Sequence, residues 1–104
     1  MDSADQAGRL LLAGSLTDLG SIYRRQSRYD EADPLYRQAL EIRLTIPDAD
    51  PADVAEGWNN LGNALDELGD IDSAILCYET ALRIYEDLRD DLGKASVFTN
   101  LGDT

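Results

Sequence analysis

Apolar residues recur along this chain in steps of three, four and one, the spacing of a helical stripe, and no stretch alternates with the period of two that a half-buried strand needs. Leu12, Leu16, Leu19, Ile22 and Tyr23 form the first stripe and predict a helix over 4–26, opened by capping-type residues in the Asp-Ser-Ala-Asp of 2–5. Asp30, with Asp33 three residues on, is the expected N-cap of a second helix. Pro34 falls in or just after its first turn, where a missing N–H costs least, and Leu35, Tyr36, Ala39, Leu40 and Ile42 carry its apolar face to about Thr45. Ile-Pro-Asp-Ala-Asp-Pro, 46–51, reads as a turn that ends in an N-cap, Asp50, and a first helical residue, Pro51. The third helix then runs through Trp58, Leu61 and Leu65 to about Leu68, and Gly69 supplies a left-handed stop where the earlier copy has Ser27. A fourth helix is predicted over 71–88, and a fifth begins at Asp91 or Leu92 and carries Val97, Phe98 and Leu101.

Five helices with short connections predict an all-α fold of antiparallel neighbours. Their sequences repeat. Leu19 and Leu61 lie 42 apart, as do Gly20 and Gly62, Ala32 and Ala74, Tyr36 and Tyr78, and Ala39 and Ala81; Leu61 and Leu101 lie 40 apart, as do Trp58 and Phe98. A period of this size is the signature of a repeat architecture, in which each helix pair buries its face against the next. Residues 1–104 are therefore expected to form a single domain, with one pair at 4–46, a second at 50–88, and the first helix of a third, truncated pair at 91–104.

The order of large and small residues narrows the family. Trp58, Leu61, Gly62 and Leu65 in one helix are followed by Ala74, Tyr78 and Ala81 in the next; Leu16, Leu19, Gly20 and Tyr23 are followed by Ala32, Tyr36 and Ala39. This pattern resembles the tetratricopeptide repeat. Small residues let two backbones approach while large ones fill the spaces between them. The period exceeds the family's commonest length of about 34. In this the chain resembles the long repeats of kinesin light chains, through its segment 28–43, and those of G-protein-regulator scaffolds of the LGN type, through Asp-Asp-Leu-Gly-Lys-Ala leading into Thr-Asn-Leu-Gly.

The resemblance implies an α-solenoid, a right-handed superhelix of helix hairpins whose first helices line a concave groove for partner peptides. The groove positions it implies are Asn59, Asn60, Asn63 and Asp66 in the second copy and Thr17, Asp18, Ser21 and Arg24, with Arg25, in the first. The third copy contributes Thr99, Asn100 and Asp103. Asp18, Asn60 and Asn100 form one column, each just before a Leu-Gly. An asparagine amide offers two donors and an acceptor, enough to pair with an extended peptide backbone whatever its side chains. Arg24 and Arg25 either meet an acidic segment of the ligand or pair with local aspartates. Thr17 and Ser21 stand where a carboxylate-clamping groove would need lysine and asparagine.

Charge and composition change the picture only for partners. With 21 acidic against 9 basic residues and no histidine, the formal net charge is −12. Such a surface repels nucleic acid and anionic lipid and speeds encounters with a basic protein or peptide. The single cysteine, Cys77, excludes an internal disulfide and fits a cytoplasmic setting as a small buried hydrophobe. Leu-Leu-Leu-Ala at 10–13 is too short for a membrane span. The turn aspartates at 48, 50, 53, 87, 90 and 91 lack the alternating-ligand loop of a calcium site and read as caps. No nucleophile motif or phosphate loop occurs, so neither a catalytic residue nor a metal or cofactor site is expected.

The expected function is non-enzymatic protein binding in the groove. Two alternatives stand beside it. One is self-association through an apolar face, Val97, Phe98 and Leu101, that no following helix covers. The other is service as the sensor arm of a larger signalling enzyme.

Overall fold

Asp50 and Pro51 show how local chemistry sets the element ends. The Asp50 carboxylate accepts a hydrogen bond from the Ala52 amide at 2.9 Å, and Pro51, with no N–H to satisfy, opens the helix. The structure, a computed structural model, describes residues 3–102 and contains five helices there: α1 (Ser3–Arg25), α2 (Tyr29–Leu44), α3 (Pro51–Glu67), α4 (Ile71–Leu88) and α5 (Asp91–Gly102). Asp70 caps α4 through the Ser73 amide, and Asp90 accepts from the Gly93 amide at the start of α5. Gly69 stops α3 at φ +90, and Ser27 and Arg89 make the matching left-handed breaks after α1 and α4.

One cap differs from expectation. Asp30 lies inside the first turn of α2, and Arg28 occupies the N-cap position without a side-chain cap bond. Arg28 is held instead by its Glu31 carboxylate partner and by stacking over the Tyr23 ring at 4.6 Å, so the helix starts one residue before Asp30.

Consecutive helices pack as antiparallel neighbours, α1 on α2, α2 on α3, α3 on α4 and α4 on α5, and the chain is an α-solenoid of helix hairpins. Each hairpin closes on a glycine facing a tyrosine. A Cβ on Gly20 would stand 2.9 Å from the Tyr36 ring, and one on Gly62 would stand 2.7 Å from the Tyr78 ring. Ala32, Ala39, Ala74 and Ala81 are likewise fully buried at these seams. Tyr36, Leu40, Leu61, Leu65, Tyr78, Tyr85 and Val97 fill the core around them, with Tyr23, Trp58, Leu82 and Leu101 packed against its edge.

Two expectations about the core are corrected. Leu19 was expected to pack like Leu61, yet it is 40% exposed against 4% for Leu61. Leu61 has Leu40 and Leu44 of the preceding α2 beside it, whereas among the described residues α1 has no helix on that side. In α5, Val97 is fully buried and Leu101 packs on the core, so only Phe98 of the expected open face is exposed, at 55%. Ile46 lies in the turn that composition predicts and is buried there.

Candidate functional site

The first helix of each pair, α1, α3 and α5, carries the expected groove positions, and their burial divides them into two sets. At 3.6 residues per turn, Asn60 and Asn63 lie on the face of α3 turned away from Trp58, Leu61 and Leu65. Both are half-buried, and no side-chain hydrogen bond engages either amide among the described residues. Asp18 is exposed on α1, one position before Leu19. Asp66 is half-buried in the last turn of α3. In the last turn of α1, Arg24 is half-buried and Arg25 exposed. Neither arginine forms an ion pair with a carboxylate among the described residues, so the local pairing that the sequence left open does not occur there.

The second set is turned into packing. Asn59 is only 7% exposed. Its Nδ2 donates to Ser96 Oγ at 3.2 Å, and its Oδ1 accepts from Asn100 Nδ2 at 2.8 Å, so the residue joins α3 to α5 rather than facing a ligand. The reason is angular: Asn59 sits between the Gly62 seam and the open face, where the next first helix arrives. Asn100 shares this bond and is half-buried. Thr17, at the same register in α1, donates to Ala13 O at 2.9 Å and accepts from the Arg43 guanidinium at 3.1 Å. Ser21 Oγ lies 3.0 Å from Tyr36 Oη, a hydrogen bond across the α1–α2 seam. Thr99 is exposed and bonds back to Ala95 O, and Asp103 lies outside the described residues.

Sequence reasoning missed Ser96 because a serine in a short helix with no marked apolar face carries no signal of its partner. It also missed two adjoining clefts of about 350 and 360 Å³ on the opposite stripe of α3, where Trp58 and Leu61 meet Arg37 of α2. Leu76, Cys77 and Thr80 of α4 wall the first cleft, and Leu40 and Leu44 of α2 wall the second. Burial pushes the Cys77 thiol above its ordinary range; the Arg37 charge opposes this and the Asp33 and Asp70 carboxylates reinforce it. A neutral, desolvated thiol is a packing group, not a nucleophile. Among the described residues, no cluster of three or more potential ligands is placed to hold a metal ion, and no helix is long and apolar enough to cross a membrane.

The hairpin geometry, with glycine facing tyrosine at equivalent seams, coincides with a sequence match: the tetratricopeptide repeat model covers residues 11–87. The chain belongs to the tetratricopeptide repeat family. It is 39% identical over 74 residues to Protein KINESIN LIGHT CHAIN-RELATED 1 of Arabidopsis thaliana, a match covering 70% of this chain and 12% of that protein. Among solved structures it is similar to BtubC (BKLC) from P. vanneervenii, with a TM-score of 0.71 and 30% identity over 75% of this chain and 32% of that one. The N-terminal domain of stress-induced protein-1 (STI-1) from C. elegans shares the fold, with a TM-score of 0.67 at 18% identity over 85% of this chain and 66% of that one. This tetratricopeptide chain thus spans about an eighth of its curated relative and a third of BtubC. Stacked helix pairs of this family present extended surfaces, and protein–protein interaction is what such surfaces do.

Proposed function

We propose that the chain is a non-enzymatic module that binds a protein or peptide segment in the groove lined by α1, α3 and α5. The observation that carries this reading is the pair Asn60 and Asn63, two half-exposed amides one turn apart on the face of α3 away from its core stripe, with no side-chain hydrogen-bond partner among the described residues. Amides so placed pair with an extended backbone and tolerate varied ligand side chains. Asp18, Arg24, Arg25 and Asp66 flank them, while Asn59, Thr17 and Ser21 set the helices in position. The net charge of −12 favours a partner that brings positive charge. The lone, buried Cys77 suits a cytoplasmic setting. Peptides selected from a random library against this chain supply the test. Replacing Asn60 and Asn63 together by alanine should weaken a selected peptide by about 1–3 kcal/mol, one net hydrogen bond per amide. Unchanged affinity in a variant with wild-type helicity overturns the groove assignment.

A second reading, self-association, is favoured by the 55% exposure of Phe98 on α5. Light scattering over a range of concentrations decides it, and a strict monomer removes it.

A further inference from the structure

Two clefts of the molecule occupy the same place in successive repeats. Arg9, Leu12 and Ile42 line one of about 320 Å³ between α1 and α2, and Pro51, Val54 and Ile84, each 42 residues on, line one of about 290 Å³ where α3 meets α4. The helices correspond as well, for Ala13 and Ala55, also 42 apart, are both fully buried. The difference lies in the remaining wall. In the second repeat the connection from α2 to α3 supplies it, through Leu44, Ile46, Pro47 and Ala49. In the first, every lining residue belongs to α1 or to α2 with its C-cap Thr45, and Leu12 stays 52% exposed while Val54 is half-buried. The connection that closes the second cleft is itself an ordered unit. The Ala49 amide donates to the Ile46 carbonyl at 3.1 Å, with Pro47 at the second position of the turn, where its fixed φ suits the backbone. Ile46 is only 3% exposed there.

We propose that the cleft between α1 and α2 docks a helix end followed by an Ile-Pro turn from a partner protein, the chemistry that lies across the equivalent cleft of the second repeat. The apolar residue before the proline is the anchor, set over Leu12 and Ile42 as Ile46 is set beside Val54 and Ile84. Arg9, which donates to Thr45 Oγ1 at 2.9 Å, and Glu41 bring one charge of each sign to the rim, so apolar contact decides affinity. A turn already fixed by proline loses little freedom on docking, which offsets the small area covered. A second copy of this chain is a poor donor, because its own Ile46 is buried and its connection would have to come apart to offer it. The site shares no residue with the groove positions and stands whether or not those bind.

The probe is a synthetic peptide copying residues 40–50, titrated into the isotope-labelled full chain and followed by amide and methyl NMR shifts. Saturable shifts should gather at 9–16 and 38–45, with half-saturation at about 1 mM, as befits one small apolar anchor. A peptide carrying Ile46→Ala should bind about 10-fold more weakly. In the chain, Leu12→Glu should abolish the shifts, whereas Leu11→Glu, at a side chain 75% exposed and outside the cleft, should leave them intact. Both variants alter exposed positions, and helicity by circular dichroism checks that each is folded. No saturable shift up to about 10 mM overturns the proposal. So do shifts centred on Asn60 and Asn63, which assign the peptide to the groove, and shifts centred on Val54 and Ile84, which mean exchange with the chain's own connection. The same shifts at Leu12 and Ile42 from raising the concentration of the chain alone make a second copy the occupant, and overturn the partner assignment.

Discussion

Asn100 Nδ2 donates to Asn59 Oδ1 at 2.8 Å, linking two first helices of successive repeats through a buried amide. Asn59 also donates to Ser96, so both ends of its side chain are committed to α5. Replacing Asn59 by alanine removes both bonds to α5; Ser96 is exposed and Asn100 half-buried, so the loss is that of net hydrogen bonds, about 0.5–1.5 kcal/mol each. The loss should fall on α5, whose docking depends on these bonds and on Val97. Hydrogen exchange of the α5 amides is expected to quicken by 5-fold or more, about 1 kcal/mol. Asn63→Ala should leave it unchanged.

Gly62 and Gly14 should respond to alanine with opposite signs. A Cβ on Gly62 meets the Tyr78 ring at 2.7 Å and the Ala74 carbonyl at 3.2 Å, so the hairpin must open or the ring must move. Such overpacking costs about 1–3 kcal/mol. A Cβ on Gly14 has nothing within 4 Å, and alanine there gains about 0.5–1 kcal/mol of helix propensity. Urea unfolding of the two variants should move the midpoint down for Gly62→Ala and up for Gly14→Ala.

These two pairs show what the sequence discloses. Gly62 and Tyr78 were legible because the seam is built once per repeat, so a 42-residue subtraction exposes both partners and gives the antiparallel stacking with them. The helix stops at Ser27 and Gly69 follow from the same register. Asn59 was not legible, because its neighbours on the helix, Asn60 and Asn63, share its chemistry and only the arrival angle of α5 separates a buried amide from an open one. The Arg28 start of α2 escaped for a related reason: Asp30 is a good cap by type, but the guanidinium of Arg28 is anchored by Glu31 and Tyr23, a contact between two helices.

Alkaline pH should unfold the chain through Cys77 and Tyr85. Burial raises both groups above their ordinary values, helped for Tyr85 by the Glu56, Asp90 and Asp53 carboxylates. The folded state then holds each proton more tightly than the unfolded chain, whose thiol and phenol titrate near about 8.5 and 10. The stability this linkage contributes is complete below those values and is lost as pH rises through the raised folded ones. Melting temperature should therefore be flat to about pH 8 and fall above it. Cys77→Ala should flatten the lower part of the fall and Tyr85→Phe the upper part. A thiol reagent at pH 8 should label Cys77 only when urea unfolds the protein.

Leu61 and Leu19 occupy the same place in the repeat, and truncating them separates what the motif encodes from what the neighbouring hairpin adds. Leu61 is enclosed beside Leu40 and Leu44 of α2, so alanine there leaves a cavity and costs about 2–5 kcal/mol. Leu19 faces no preceding helix among the described residues, and alanine there removes a side chain already 40% exposed, for under about 1 kcal/mol. Denaturant unfolding of the two variants should differ by at least about 1 kcal/mol, with Leu61→Ala the weaker. Equal losses would mean that Leu19 is covered in solution, by a second copy or by chain outside these residues, and repeating the Leu19→Ala measurement at several protein concentrations tells those apart, since only the first depends on concentration.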